Sequence, residues 1–377
     1  MFRMILAFCI GFTIIVSANY YVSFKVFELI KYVFPTLNRG VLIAFIIISV
    51  LAFTAVFLPG NDDVNSVLRC IGAYWMGLFI YLLLAFAIRD LVFLILKFCS
   101  LSSAAVGFWT GLGALVFALG ISAYGVYNSG VVRHTSYEME ITGKGRRYDT
   151  RVVLVSDIHL GSVGSEKRLS YIVDEINSLK PEVVCIAGDI FDNDYTKIKD
   201  PEKVASELRR IESDYGVYAC LGNHDSGKTF TKLKDILDKG HVEVLDDSHT
   251  LIEDRFVLVG RLDQNPIGGY DGITRKSTAE VMKKVDSVMP VVVMDHNPAN
   301  IGEYEKKADL VLCGHTHKGQ IFPGSIITGL MYDVDYGYYR KDAKNPHVVV
   351  SSGAGTWGMP MRVGTACEVV SIDIKFN

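Results

Sequence analysis

Five short clusters of acidic, histidine and asparagine residues in the second half of the chain have the types and spacing of metal ligands. Each directly follows an apolar run typical of a β-strand. The clusters are Asp157-Ile158-His159, Gly188-Asp189-Ile190-Phe191-Asp192, Gly222-Asn223-His224-Asp225, Asp295-His296 and Gly314-His315-Thr316-His317. Carboxylate, imidazole and amide groups without thiolate suit Mn, Fe or Zn rather than a cysteine-rich structural zinc site. Together they supply enough ligands for two metal ions.

Two metal ions in one site favour a particular chemistry. Ions about 3.5–4 Å apart can share a carboxylate, deprotonate a bridging water and clamp the oxygens of an in-line phosphoryl displacement. Asp189, at the end of a predicted central strand, is a natural bridging ligand. The clusters therefore predict a dimetal site for phosphoryl chemistry.

The elements around the clusters explain how they could meet. From about residue 131, β-branched apolar runs alternate with helix-like stretches, which predicts strands and helices in layers. In such sheets ligands bind outside the carboxyl ends of the strands, where each cluster lies. Residues i and i+2 of a strand share a face, so Asp157 and His159 would point into one site. His315 and His317 would do the same.

The first third of the chain is strongly apolar. The 377 residues are 50% hydrophobic and 21% charged, and the apolar excess precedes residue 130. A helix that spans a bilayer needs about 20 apolar residues. Four uncharged runs of about this length predict a four-helix transmembrane bundle: residues 4–24, 41–58, 70–88 and 104–127.

The first run has a second interpretation. Arg3 followed by an apolar stretch could form a cleaved signal peptide, but three further runs would still anchor the chain. The predicted spans contain no charge that would mark a transport path, so the bundle is interpreted as an anchor in the cell membrane. Basic residues near the span ends slightly favour a catalytic domain outside the cytoplasm. Counting Lys144, Arg146 and Arg147 reverses that balance.

Composition and cysteine spacing complete this outline. The predicted divisions are a transmembrane region at residues 1–130, a linker with the first strand at 131–149, and a catalytic domain at 150–377.

A formal net charge of −3 without basic runs gives no reason to expect a nucleic-acid partner. Cysteines in the apolar runs before the clusters are expected to be buried free thiols, namely Cys185, Cys220 and Cys313.

The five clusters, in this order, resemble the signature of the calcineurin-like metallophosphoesterases. Other segments resemble a bacterial branch with several N-terminal spans: Asp295–Pro298, Gly314–Gln320, Ser351–Gly358 and Tyr74–Gly77. The resemblance implies a four-layer αββα sandwich for residues 150–377, two divalent metal ions, and direct attack of a metal-bridging hydroxide on phosphorus. Lys318 departs from the branch, in which a small residue is common, and this departure concerns substrate contacts rather than metals.

The resemblance also implies a role for each cluster residue. The implied ligands are Asp157, His159 and His317 for one metal, Asn223, His296 and His315 for the other, and Asp189 as the bridge. His224 would be the general acid or transition-state stabiliser, with Asp192 orienting it and Asp225 in support. Histidine suits that role because its pKa lies near working pH.

Two alternative functions compete with this interpretation. Residues 222–229 spell G-x-x-x-x-G-K-[ST], the P-loop pattern, and Asp295 could then hold magnesium. An NTPase would leave three of the five clusters without a role, whereas the dimetal interpretation uses all of them. A membrane sensor that binds phosphate without turnover would be expected to lack the acid, but His224 is present.

The substrate is the least defined part of the sequence prediction. Anchoring makes a lipid-linked phosphate mono- or diester the first hypothesis, with the bilayer as a partner. Residues 353–358 spell G-x-G-x-x-G, but no helix-like run follows, so we predict a loop in which Trp357 could wall the site. Further substrate contacts are predicted in residues 260–272, residues 318–339 and the membrane bundle.

Overall fold

The computed structural model describes residues 2–58, 62–142, 148–161, 163, 166–286 and 288–377. They form two compact units, which are Met1–Tyr127 with Met359–Met361, and Asn128–Gly358 with Arg362–Asn377. Residues 143–147, which hold the basic residues that weaken the topology prediction, lie outside the described residues.

Apolar helices build the first unit. They are α1 (Phe2–Val33), α2 (Arg39–Ala55), α3 (Asp63–Phe98) and α4 (Ala104–Ser129), and they lie where the four spans were predicted. Among the described residues, three are long and apolar enough to cross a membrane: Ile10–Val33 within α1, α3 and α4. The 17 residues of α2 extend only about 26 Å at a rise of about 1.5 Å each, against a hydrocarbon core of about 30 Å. The span predicted at 41–58 is therefore not among the three.

Two of these helices extend beyond the apolar runs that predicted them. α3 begins after its N-cap Asp62, whose side chain accepts a hydrogen bond from the backbone of Asn65 at 2.9 Å, and it continues well past residue 88. Backbone hydrogen bonding does not require apolar side chains, so the helix carries charged residues that the predicted span omitted. Asp90 pairs with Lys25 of α1 at 2.9 Å and with Arg89 at 2.8 Å, so these charges are neutralised within the bundle.

Two six-stranded mixed sheets form the centre of the second unit. In spatial order, the first sheet contains β1 (Val132–Ile141), β12 (Cys367–Phe376), β2 (Tyr148–Val155), β3 (Val183–Ala187), β4 (Val217–Cys220) and β5 (Glu243–Val244). The second contains β10 (Gly337–Tyr339), β11 (His347–Val350), β9 (Leu310–Cys313), β8 (Val291–Met294), β7 (Phe256–Gly260) and β6 (Ser248–Ile252). Strands β2 to β5 are parallel, as are β7, β8, β9 and β11.

Helices cover the outer faces of both sheets. The first sheet packs against α5 (Glu166–Ser178), α6 (Pro201–Leu208) and α7 (Phe230–Lys239), and the second against α8 (Thr278–Met282) and the 3₁₀ helix Pro298–Tyr304. Leu154 and Cys185 of one sheet meet Leu258 and Leu312 of the other in the core between them. Burying each such leucine stabilises the fold by roughly 1.5–3 kcal/mol. The four-layer αββα sandwich is confirmed.

Strand register brings the cluster-bearing ends together. Ala187 and Cys220, the last residues of β3 and β4, are paired, and Met294 near the end of β8 pairs with Leu312 of β9. A direct link joins the two sheets at this edge, because Nδ1 of His296 lies 2.8 Å from the carbonyl oxygen of Ala187. The loops that carry all five clusters therefore meet at one edge of the sandwich.

Candidate metal centre

Among the described residues, the cluster side chains form three groups of facing ligand atoms, of which the first two match the ligand sets implied for the metals. The first group is Asp157, His159 and His317, and the second is Asp189, His296 and His315. A third group, which shares His159 with the first, is His159, Asp192 and His224. Within each group, one ligand atom from every residue lies within 4.8 Å of the others. The ligand sets implied for two metals are thus brought together, and Asn223 joins the second group.

The first group is closed to solvent and tightly spaced. Nε2 of His159 and Nε2 of His317 are 3.0 Å apart, and Nε2 of His317 lies 3.4 Å from Oδ1 of Asp157. All three residues are buried. Two imidazole nitrogens that face each other beside a carboxylate are the arrangement expected around a cation.

The second group is also tightly spaced, although His315 is only partly buried. Nε2 of His296 lies 3.1 Å from Oδ2 of Asp189 and 3.3 Å from Nδ1 of His315. Nδ1 of His315 is 3.0 Å from Oδ1 of Asn223. Carboxylate, imidazole and amide oxygen atoms therefore converge, and this donor set fits a divalent ion such as Mn, Fe or Zn.

Asp189 belongs to the second group and also lies close to the first. Its Oδ2 is 3.1 Å from Nε2 of His296 and 3.8 Å from Nε2 of His159, which belong to different groups. Burial alone would raise the pKa of Asp189, but the neighbouring histidines, His296 foremost, hold the pKa below its usual range. An ionised carboxylate at this position fits the bridging role.

Two of the histidines are held in the form that binds metals. Burial, followed by the nearby His296, lowers the pKa of His315 to about 4. Burial, followed by the positive charge of Arg362, lowers the pKa of His317 well below its usual value. Neutral imidazole is the form that ligates a metal, so both environments suit the proposed ligands.

The backbone conformation after the strands, rather than the alternation of side chains along a strand, determines the direction of the ligand side chains. β2 ends at Val155 and β9 at Cys313, so the ligands that follow lie beyond the strands. Five of them have positive φ angles of 50–72°: Asp157, His159, Asp189, His315 and His317. This left-handed conformation costs roughly 1–3 kcal/mol at a non-glycine residue and clusters at functional sites. The structure does bring the two side chains of each pair close to other predicted ligands, but strand alternation is not the reason, because these residues lie beyond the strand ends.

The glycine-rich loop at 353–358 supports these strained positions. The backbone N–H of Gly355 donates to the carbonyl of Asp157 at 2.8 Å. A Cβ on Gly355 would lie 2.1 Å from the carbonyl oxygen of Ile158, so only glycine permits this approach. The segment is a loop at the site, as predicted, and the ring centroid of Trp357 lies 5.9 Å from that of His224.

Asp192 contacts a different histidine from the one predicted. Its Oδ1 lies 2.8 Å from Nδ1 of His159, so its hydrogen-bond partner is an implied metal ligand, while its orientation of His224 stays a prediction. The backbone N–H of His224 donates to Oδ1 of Asp189 at 2.7 Å. Burial lowers the pKa of His224, only partly offset by Asp189, so this environment favours hydrogen-bond donation by the neutral ring.

We expect Asp192→Asn to lower metal affinity by about 10–100-fold, the usual effect of removing the hydrogen-bond partner of a metal ligand. The amide would no longer hold Nδ1 of His159 as a carboxylate does. Metal titration monitored by calorimetry would measure the change. Asp174→Asn, in an exposed pair with Arg210, is the matched control. Equal metal affinity in the two variants would contradict the assigned contact.

Backbone N–H groups in the P-loop pattern already donate hydrogen bonds within the protein. Both oxygens of Asp225 accept from backbone N–H groups, those of Gly222 and Phe191, at 2.9 Å each. The N–H groups of His224 and Gly227 donate to Asp189 and Gly269. A P-loop needs such groups free to surround phosphates. The geometry therefore does not support the NTPase alternative, and it supports the expected structural role of Asp225, whose pKa burial raises to about 7.

Lys228→Ala is expected to leave phosphoesterase activity within about twofold of wild type, because surface substitutions of this kind usually have small effects. Lys228 is exposed and would be the phosphate-binding lysine of a P-loop. Turnover of a chromogenic phosphoester measures the effect. A loss of tenfold or more, accompanied by loss of nucleotide binding, would restore the P-loop interpretation.

Sequence reasoning missed two arginines that hold the centre. Arg362 is fully buried; it donates to the carbonyl oxygen of His317 at 2.9 Å and to that of Ser352 at 2.7 Å. Arg275 donates to Asp295 at 2.7 Å, beside the ligand His296. Neither lies in a motif. The sequence contained one signal for Arg275: a buried Asp295 carboxylate would need a cationic partner. Nothing in the sequence indicates Arg362.

A cavity of about 500 Å³ opens onto the ligands. One part of its wall consists of His159, Asp189, Asn223, His224, His315 and His317. The remainder is largely apolar and includes Ile267, Ile327, Met331, Tyr332 and Trp357. These side chains lie in or near the segments where substrate contacts were predicted.

Comparison with known proteins gives the family. The calcineurin-like phosphoesterase profile matches residues 150–319, which contain all five clusters. An uncharacterized metallophosphoesterase of Aquifex aeolicus strain VF5 is 30% identical over 263 residues, covering 69% of this chain and 98% of the relative. The chain belongs to the calcineurin-like phosphoesterase family. The resemblance inferred from the clusters is confirmed, and the family's members are metal-dependent phosphoric ester hydrolases.

Other metallophosphoesterase relatives come from bacteria and animals. An uncharacterized metallophosphoesterase of Helicobacter pylori strain J99 is 32% identical over 229 residues, covering 59% of this chain and 58% of the relative. A Danio rerio protein named transmembrane protein with metallophosphoesterase domain is 31% identical over 241 residues, covering 60% and 53%. The alignments span little more than half the length of these two relatives. The described residues of this chain include three helices that are long and apolar enough to cross a membrane, which indicates membrane association.

Proposed function

We propose that this protein is a membrane-anchored dimetal phosphoesterase that hydrolyses a lipid-linked phosphate mono- or diester. The observation that carries the proposal is the position of Asp189. Its Oδ2 lies within 3.8 Å of nitrogen atoms from both ligand groups, His159 on one side and His296 on the other. A carboxylate shared in this way is the expected centre of a two-metal phosphoryl-transfer site.

Seven residues would hold the two ions. They are Asp157, His159, Asp189, Asn223, His296, His315 and His317. Their mixture of oxygen and imidazole ligands makes manganese our first candidate, with iron and zinc as alternatives. When bound, two such ions supply the charge that activates water and neutralises the phosphoryl oxygens.

The protein's own groups orient the reaction. The His224 ring borders the cavity beside the His159 ring, with centroids 5.2 Å apart, so it can donate a hydrogen bond to an oxygen of the substrate. The Trp357 ring also lies beside His224, with ring centroids 5.9 Å apart.

A lipid-linked substrate follows from anchoring and from the wall of the cavity. Among the described residues, three helices are long and apolar enough to anchor the phosphoesterase at a membrane, where lipid headgroups supply phosphate esters. The apolar wall beside the ligands would accommodate an apolar part of such a substrate. Both features support an ester joined to a lipid over a free metabolite.

The experiment that tests the proposed function is a substrate panel. Purified, Mn-loaded protein in detergent and in liposomes would be assayed against soluble and lipid-linked phosphate mono- and diesters. We expect hydrolysis that depends on added metal and is faster on a lipid-linked ester. Failure to hydrolyse any ester would refute the catalytic proposal, while activity no higher on lipid-linked than on soluble esters would remove the lipid part alone.

We also propose that the catalytic domain lies outside the cytoplasm at the cell membrane. Lys25, Lys31 and Arg39 flank the first connection between helices, where the positive-inside rule expects cytoplasmic segments. This topology requires the shorter helix α2 to cross the membrane as a fourth span beside the three longer helices, because three crossings would leave the domain in the cytoplasm. A C-terminal alkaline phosphatase fusion should then be active in a bacterial host, whereas a C-terminal fluorescent protein that folds only in the cytoplasm should remain dark. The reverse pattern would contradict this topology.

A further inference from the structure

The segment that follows the last metal ligand has an unusual surface. Residues 319–332 contain no charged side chain, and they include the helix α9 (Gly324–Met331), in which no residue is buried. Five large apolar side chains of the segment are exposed to solvent, namely Phe322 at 51%, Ile326 at 54%, Ile327 at 59%, Leu330 at 84% and Met331 at 69%, whereas Ile321 is buried. We call these five side chains the α9 apolar surface.

Polar contacts hold α9 in place even though its apolar side chains remain exposed. The hydroxyl of Thr328 donates to Oδ2 of Asp335 at 2.7 Å, and the hydroxyl of Thr316 donates to the carbonyl oxygen of Asp335. A helix of 8 residues is not stable alone in water. The fold therefore supports a helix whose apolar side chains are not used for its own core, and exposed apolar patches of this kind mark interaction sites.

The α9 apolar surface is continuous with the wall of the metal cavity. Ile327 and Met331 line the cavity, whereas Ile326 and Leu330 do not. Next to them, the Tyr332 ring lies 6.2 Å from the ring of the ligand His315, measured between centroids. One short helix thus contributes apolar side chains both to the cavity and to the solvent-exposed surface outside it.

A lipid bilayer is the occupant that these features fit. Three helices among the described residues are suited to a membrane, so the chain that carries α9 would be anchored in a bilayer. An uncharged segment enters the boundary between headgroups and acyl chains without desolvating a charge. Lys318 lies at one end of the segment, with Nζ 4.0 Å from the centroid of the Tyr336 ring, and lysine at such a boundary suits anionic lipid phosphates.

We propose that α9 and Phe322 form a lipid-docking element that enters the bilayer surface, so that a phospholipid-type ester reaches the metal cavity directly from the membrane. Its acyl portion would pass along Ile327 and Met331, while its phosphate group meets the ligands. This inference rests on the proposed function for its substrate class, but the docking itself does not depend on catalysis.

Photo-crosslinking tests the docking without using activity. Leu330 would be replaced by p-benzoylphenylalanine in the full chain, reconstituted in phosphatidylcholine and phosphatidylglycerol vesicles that contain an alkyne-tagged phospholipid. Leu251 on β6, 49% exposed and outside the cavity lining, receives the same replacement as the matched control. Lipid adducts at 330 and not at 251 are expected. Adducts only to another protein chain, or no more lipid adduct at 330 than at 251, would overturn the proposal.

A substrate comparison tests the lipid path. The double variant Ile326→Ser with Leu330→Ser is expected to lower the ratio of lipid-ester to soluble-ester turnover by about tenfold or more, since membrane binding scales with buried apolar area. Leu251→Ser should leave that ratio at the wild-type value. Equal losses on both esters would overturn the assignment of α9 to docking. If the wild-type protein hydrolyses neither ester, the proposed function fails, while the crosslinking result still decides the docking.

Discussion

Asp189→Asn should reduce phosphoester turnover on the order of a thousandfold, because it removes the negative charge shared by both ligand groups. Its Oδ2 lies 3.1 Å from His296 and 3.8 Å from His159, and its Oδ1 accepts the backbone N–H of His224 at 2.7 Å. Losing one preorganised electrostatic contact typically costs about 10²–10³ in rate, and this carboxylate contacts both groups. Turnover at saturating metal and metal content by mass spectrometry would measure the effect.

Metal content separates the proposed role of Asp189 from a structural one. We expect the Asp189→Asn protein to remain folded but to retain less metal than wild type. Asp373→Asn, which changes the same group in a surface pair with Arg151, should keep full metal content and turnover within about twofold, since such pairs contribute little. Full metal content and near-normal turnover in Asp189→Asn would remove the observation on which the dimetal proposal rests.

His224→Ala should lower kcat by about 10²–10⁴, the usual contribution of a general acid or base, while metal content stays near that of wild type. The ring borders the cavity and faces His159 and Asp192 in the third group of ligand atoms, but it is not among the seven residues proposed to hold the metals. Its loss should therefore slow the chemical step without releasing metal. Steady-state kinetics on a chromogenic ester, combined with metal analysis of the same sample, tests both halves of this prediction.

Leaving-group dependence sharpens the test of His224. If His224 assists the leaving oxygen, its removal should slow esters of weakly acidic alcohols more than nitrophenyl esters, whose leaving groups need little assistance. His249→Ala is the control, because His249 lies on β6 and does not line the cavity. Unchanged turnover in His224→Ala would refute the role assigned to this residue.

Much of the candidate site could be predicted because the relevant information is local. Each cluster follows a strand-like run, and the amphipathic spacing of α5 places Leu169, Ile172 and Ile176 against the first sheet. Apolar runs likewise predicted where membrane helices form. Hydrophobic periodicity reports which face of an element is buried, and residue type reports which metal an atom can hold.

Local patterns failed where neighbouring elements determine the outcome. The apolar run at 70–88 predicted too short a helix, because α3 continues through more polar residues at both ends and spans Asp63–Phe98. Strand alternation did not explain the ligand directions, because Asp157 and His159 lie beyond β2 with positive φ. Hydrogen bonds to the loop after the neighbouring strand β3 support this backbone, since the Asp157 N–H donates to the Gly188 carbonyl at 2.9 Å. Hydrogen bonds between loop backbones do not require a periodic pattern of residue types, so they cannot be predicted from hydrophobic periodicity.

The sequence by itself determined the family, the ligand types and their order along the chain, since these depend on residue identity and short spacing. Only the tertiary structure decided which contacts those residues make. It placed Asp192 against His159, brought the unmarked Arg362 to His317, and left the apolar side chains of α9 exposed beside the metal cavity. The two contacts join segments that are distant along the chain, and the exposure of α9 depends on which elements do not pack against it. Packing of the whole domain, rather than local residue preference, determines these features.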